Sequence, residues 1–111
     1  MKAIKILTDG TIMKIDIPMG GGSMRDLSAL QEQVGGCVEF LGVDQHLAAI
    51  INEEGKLDGL PPNSVATAFA HKHCGIAPSD IIVGDMLLVG SSPHGATVDV
   101  PDTAIMKLVQ Q

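Results

Sequence analysis

Residues Asn52-Glu53-Glu54-Gly55-Lys56-Leu57-Asp58-Gly59-Leu60-Pro61-Pro62-Asn63 compress a turn, an apolar anchor and a helix start into one short stretch. Asn52 to Lys56 predicts a turn, with Gly55 at the dihedral that other residues avoid. Leu57 and Leu60 are expected to anchor the connection on the core. Pro61-Pro62 forces extended backbone and ends on a helix-compatible φ. Asn63 or Ser64 then caps the helix that follows. On a helical wheel Phe69, Val65, Ala66 and His73 share one side, which predicts the buried face.

The segments on either side give the rest of the architecture. Lys2 to Leu7 and Thr11 to Ile17 alternate in polarity around Asp9-Gly10, a strong hairpin signal because the turn requires positive φ. Pro18 ends the second strand. After Met19 and a glycine run, Ser23 followed by Asp26 fits a helix N-terminus, with Met24, Leu27, Leu30 and Val34 near one face. Gly35-Gly36 closes that helix. Cys37 to Leu41 and Leu47 to Ile51 form the next strand pair. Ile81 to Gly90 is apolar on both faces, which predicts a central strand with Gly84-Asp85 as a bulge or tight turn inside it. Ala96 to Val100 is a candidate edge strand, and Asp102 to Gln110 a short terminal helix. The 111 residues form one domain, 1–111. Its predicted class is α+β: a mostly antiparallel sheet with two helices on one face and a short C-terminal helix, in the order ββαββαβ(β)α.

Leu30-Gln31 through Val34-Gly35-Gly36, the string Asn52-Glu53-Glu54-Gly55-Lys56-Leu57 with Gly59-Leu60-Pro61 and Asn63, and Asp80-Ile81-Ile82-Val83-Gly84-Asp85 carry a resemblance. In their order and spacing they resemble a small domain-of-unknown-function family found in phages, plasmids and bacterial genomes. The resemblance covers roughly residues 30 to 90. It implies a genomic setting more than a chemistry: a small phage-borne domain that interferes with host machinery, acting in the host cytoplasm.

Composition excludes several functions. With 13 acidic against 7 basic residues the net charge is −6, and the only aromatics are Phe40 and Phe69. That balance repels a phosphate backbone and offers no stacking set, so nucleic acid is not an expected partner. No apolar run approaches the roughly 20 residues of a membrane span. Cys37 and Cys74 are expected as small buried apolar residues in a reducing, cytoplasmic setting, with a 37–74 bridge as the alternative.

Candidate chemistry is sparse. Gly20-Gly21-Gly22-Ser23-Met24-Arg25 leads into a helix start, where converging N–H groups, the helix dipole and the Arg25 fork would suit phosphate. The other reading is a flexible linker. His71 and His73 lie about 200° apart on a helix and cannot chelate one ion together; His71 with Cys74 would need two further ligands, so no metal is expected. Glu53-Glu54 point apart on a turn, and Ser91-Ser92-Pro93-His94 has no orienting scaffold. Asp85 would accept backbone N–H groups of its turn or a ligand hydroxyl. No enzyme and no cofactor are expected. The sequence instead suggests a homo-oligomer that sequesters a small anionic, nucleotide-derived metabolite through Gly20, Gly21, Gly22, Ser23 and Arg25. Asn63 and Ser64 would add contacts, with Asp85 as a further ligand-binding candidate. The alternative is a protein–protein interaction module that inhibits a host protein.

Overall fold

The computed structural model describes residues 1–19 and 23–109. The N-terminal hairpin pairs β1 (Lys2–Ile6) with β2 (Ile12–Asp16). Its turn forms where Asp9-Gly10 predicts it. Gly10 sits at φ +91°, its N–H donates to the Leu7 carbonyl at 2.9 Å, and the Asp9 carboxylate accepts the Thr11 N–H at 2.9 Å. That N–H holds the Asp9 carboxyl below its ordinary value. Helix α1 (Ser23–Val34) ends at Gly35, φ +79°, as its sequence requires. Strands β3 (Val38–Gly42) and β4 (Leu47–Asn52) pair antiparallel, from Val38 opposite Asn52 to Gly42 opposite Ala48. Helix α2 (Ser64–His73), strands β5 (Met86–Ser91) and β6 (Thr97–Val98), and helix α3 (Thr103–Val109) complete the chain.

The sheet runs β2-β1-β5-β4-β3, with β6 paired to β5, and every pairing is antiparallel. Its central strand β5 buries residues on both sides, which decides where the helices go. On one face Ile4, Ile6, Leu47, Ala49, Met86 and Leu88 meet Ala66, Phe69 and Ala70 of α2 and Ala104 of α3. On the other, Ala3, Ile17, Ile50, Leu87 and Val89 meet Leu30 and Val34 of α1. Two helices do share a face, but they are α2 and the short α3, and α1 covers the reverse. A strand apolar on both sides requires cover on both. Each fully buried Leu, Ile or Met here contributes about 1.5–3 kcal/mol.

Four local expectations change. Gly55 is not at positive φ; it is glycine because an added Cβ would stand 2.9 Å from Val83 Cγ2 and 3.3 Å from Leu60 Cδ1. Leu60 packs there, whereas Leu57 is 87% exposed and anchors nothing. The strand expected from Ile81 begins only at Met86, since Gly84 at φ +76° breaks the extended backbone. Ile82 and Val83 are buried all the same, with Val83 bridged to Pro62 and the Gly84 N–H donating to the Pro61 carbonyl at 2.8 Å. In α1 the buried stripe reaches Leu30 and Val34, while Leu27 is 40% exposed.

Both cysteines are free, against the alternative of a bridge, and only Cys74 is partly buried as expected. Burial pushes the Cys74 thiol up to about 11. Reaction depends on the thiolate, so iodoacetamide at pH 8 will label exposed Cys37 first and leave Cys74 largely unmodified until the chain unfolds. Intact-mass spectrometry after timed quenching checks this: a single fast adduct is expected, and two adducts forming at equal rates would contradict it.

Candidate functional site

Of the residues expected to share a ligand, the structure brings Asn63 beside Asp85, through its bond to the Gly84 carbonyl, and sets Asp85 apart from the start of α1. Gly20, Gly21 and Gly22 lie outside the described residues, and Ser23 and Arg25 stand in the first turn of α1. Twelve helical residues span about 18 Å. Asp85 lies at the far end of that helix: Lys5 Nζ donates to Gln33 Oε1 at 3.2 Å and is 3.8 Å from Asp85 Oδ2. Asp85 Oδ1 accepts the Thr8 N–H at 3.2 Å, so this carboxylate steadies the hairpin loop. Near the start of α1, a shallow hollow is lined by Met1, Met19, Asp26, Thr97, Val98 and Asp99. Its carboxylates do not favour an anion.

Asn63 is fully buried. Its Nδ2 donates to the Ile6 carbonyl at 3.0 Å and to the Gly84 carbonyl at 2.9 Å. Its Oδ1 accepts the Ala66 N–H at 3.0 Å, which makes Asn63 and not Ser64 the cap of α2. The backbone is engaged as well, the N–H donating to the Ile82 carbonyl at 2.9 Å and the carbonyl accepting the Thr67 hydroxyl at 2.8 Å. Asn63 therefore joins β1, the approach to β5 and α2, and presents no surface to a ligand. Ser64 is exposed at the first helical position.

The histidines serve separate partners. His71 Nε2 contacts the Asp80 carbonyl at 2.6 Å. The His73 ring lies 4.8 Å from Phe69, tilted by 45°, and its Nε2 is buried without a hydrogen bond among the described residues. Desolvation first, then the charges of Lys107 and Lys72, hold the His73 imidazole below its ordinary value. No group of three or more His, Cys, Asp or Glu side chains is placed to hold a metal among the described residues. Under the 52–60 turn a hollow of about 140 Å³ is lined by Glu39, Glu53 and Asp80 among others, too small and too acidic for an anionic ligand.

A larger concavity lies where β2 runs beside α3. Strand β2 is an edge of the sheet, and on the α3 side it shows Ile12, Lys14 and Asp16, in register with Ile6, Ile4 and Lys2 of β1. The cleft there has a volume of about 430 Å³ and is lined by Lys2 and Lys14, by Asp16 and Asp102, and by apolar residues that include Ile4, Val100 and Ile105. Asp16 is already paired with the Met1 ammonium at 3.0 Å. Neither Lys2 nor Lys14 has an ion pair among the described residues. The cleft continues into an apolar groove of about 240 Å³ between Ile12 and the α3 residues Ile105, Leu108 and Val109. The alternation of Thr11–Ile17 places Ile12 and Lys14 on one face, but only the position of α3 turns that face into a cleft.

No helix among the described residues is long and apolar enough to cross a membrane. No curated protein and no solved structure matches the chain. A family model does match, and it takes in the N-terminal hairpin and α3 as well as the central stretch of sequence. The chain belongs to the family described as Domain of unknown function (DUF3846), matched over residues 1–111.

Proposed function

We propose that the protein works by binding and not by turnover, holding a small anionic ligand in the cleft between β2 and α3. The observation that carries this reading is the pair of unpartnered ammonium groups, Lys2 and Lys14, over one concavity in a chain of net charge −6. Its volume of about 430 Å³ falls in the range of small-molecule sites. Ile4, Val100 and Ile105 would receive an apolar or heterocyclic body while the lysines meet phosphate, the division of labour a nucleotide-derived ligand needs. In a phage-encoded setting, such capture in the host cytoplasm would keep a nucleotide-derived immune signal from its receptor. The competing location is the start of α1, where Arg25 lies in the first turn.

Thermal unfolding against a panel of nucleotides, including cyclic and linear ADP-ribose-type compounds, tests this. A ligand at 100 times its Kd stabilises by about 2.7 kcal/mol, which raises Tm by about 10 °C or more for a domain near this size. Lys2→Gln with Lys14→Gln should abolish the shift while Arg25→Ala leaves it intact. The reverse pattern would move the site to the start of α1, and flat curves across the panel would sink the ligand reading. A second reading, docking of a host protein, is favoured by the exposure of Ile12, Met13 and Val109 at 48%, 42% and 77% around the same edge.

A further inference from the structure

The free edge of β2 carries a charge pattern that selects its own partner. Ile17 exchanges backbone bonds with Met1, donating its N–H at 2.8 Å and accepting the Met1 ammonium at 2.7 Å. Leu7 donates to the Thr11 carbonyl at 2.8 Å. Backbone groups alternate direction along an antiparallel strand. The odd-numbered residues 11 to 17 therefore face β1, and Ile12, Lys14 and Asp16 direct their N–H and C=O groups outward. β2 has no proline within Ile12–Asp16 and, among the described residues, is paired on one side only.

We propose that β2 pairs antiparallel with β2 of a second copy of this chain, about a two-fold axis at Ile15, to give a continuous sheet across the dimer. In this register Lys14 of each copy exchanges backbone bonds with Asp16 of the other, so both outward pairs are of opposite charge. Ile15 faces Ile15, and Met13, 42% exposed, faces Ile17. Centring the axis on Lys14 sets Lys14 against itself, and centring it on Met13 sets Lys14 against Ile12. Like charges opposite one another destabilise a strand pair and opposite charges stabilise it. A lysine in mid-strand ordinarily guards an edge against pairing; Asp16 two residues on gives it a partner in one register alone. The other edge offers nothing equivalent, because Glu39 is the only charge in β3. The pairing consequently closes as a two-fold dimer instead of propagating.

The axis lies perpendicular to the sheet, so both α3 helices stay on the same face. The second copy then walls the open side of the β2–α3 cleft and adds its own Lys14 and Asp16 to the rim. This pairing does not rest on the ligand reading, but it gives Lys14 a carboxylate partner, so in the dimer Lys2 would be the cleft's remaining unpaired ammonium among the described residues.

Sedimentation or native mass spectrometry of the purified protein should give twice the 11.5 kDa of the chain. Lys14→Glu and Asp16→Lys, each checked for folding by far-UV circular dichroism, should each raise the dimer dissociation constant by about 10- to 100-fold, because two attractive pairs become repulsive. Mixing the two variants should restore a dimer, since Glu then opposes Lys and Asp opposes Lys across the seam. In the unmodified protein the amides of Lys14 and Asp16 should be protected from exchange at high concentration and lose protection on dilution. A monomer at every concentration would overturn the proposal. So would dimers that persist in both variants, a mixture that stays monomeric, or outward amides that exchange freely in the dimer.

Discussion

Asn63→Ala will lower stability by about 3–5 kcal/mol, a large share of what a domain of this size possesses. The side chain is fully buried and makes three hydrogen bonds, to the Ile6 and Gly84 carbonyls and from the Ala66 N–H. Alanine removes the helix cap, worth about 1 kcal/mol, and leaves two buried carbonyls without their donor, each costing about 1–3 kcal/mol. Asn63→Asp separates the two roles. Aspartate still accepts the Ala66 N–H, but its carboxylate would face the Ile6 and Gly84 carbonyls with no proton to offer. If the cap were all that mattered, Asp would rescue the protein; with the bracket intact as described, Asp is at least as damaging as Ala. Urea unfolding of the three proteins decides it, and a loss below about 1 kcal/mol in Asn63→Ala would refute the bracket.

Gly90→Ala is the second large effect, and its cause is steric. A Cβ on Gly90 would fall on the Asp99 carbonyl and stand 2.9 Å from Val98 Cγ2. The obstacle is backbone, which cannot rotate away, so β6 must leave β5, where Val98 now lies opposite Gly90. Asp99 also accepts the Lys2 N–H at 2.9 Å, and Val100 donates to the Lys2 carbonyl at 2.9 Å. The displacement would thus reach the cleft and the start of α3. The expected cost is about 3 kcal/mol, at the upper end for overpacking, or failure to accumulate as folded protein. Gly42→Ala is the control: an added Cβ there meets nothing within 4 Å, and its effect should stay within about 0.5 kcal/mol. Equal thermal shifts in the two variants would show that the approach of Asp99 does not constrain residue 90.

Signals written in local backbone chemistry were legible in the sequence. Asp9-Gly10 made the hairpin, Gly35 ended α1, and Asn63 capped α2, because each acts through dihedrals or bonds to residues a few positions away. Signals that depend on distant partners were not. Gly55 looked like a turn glycine and is instead a contact glycine, a distinction set by Val83 and Leu60 arriving beside it. Leu57 and Leu60 are equally apolar, yet only one meets the core, since the turn between them points Leu57 to solvent. The cleft beside β2 was invisible for the same reason: its floor comes from β1, its lysines from β1 and β2, and its far wall from α3. Asn63 has the capping role that its place before α2 predicts, and its burial leaves no surface for a ligand contact.

The sheet order β2-β1-β5-β4-β3 also fixes a sequence of events. The N-terminal hairpin and the β3–β4 hairpin are both complete by Asn52, yet they share no strand boundary; β5, at Met86–Ser91, is the piece that lies between them. During synthesis more than three-quarters of the sequence therefore emerges before the two ribbons can be joined. Long-range pairing of this kind is slow because chain entropy is lost before contacts repay it. Joining the two hairpins into one sheet therefore depends on the late arrival of a single strand.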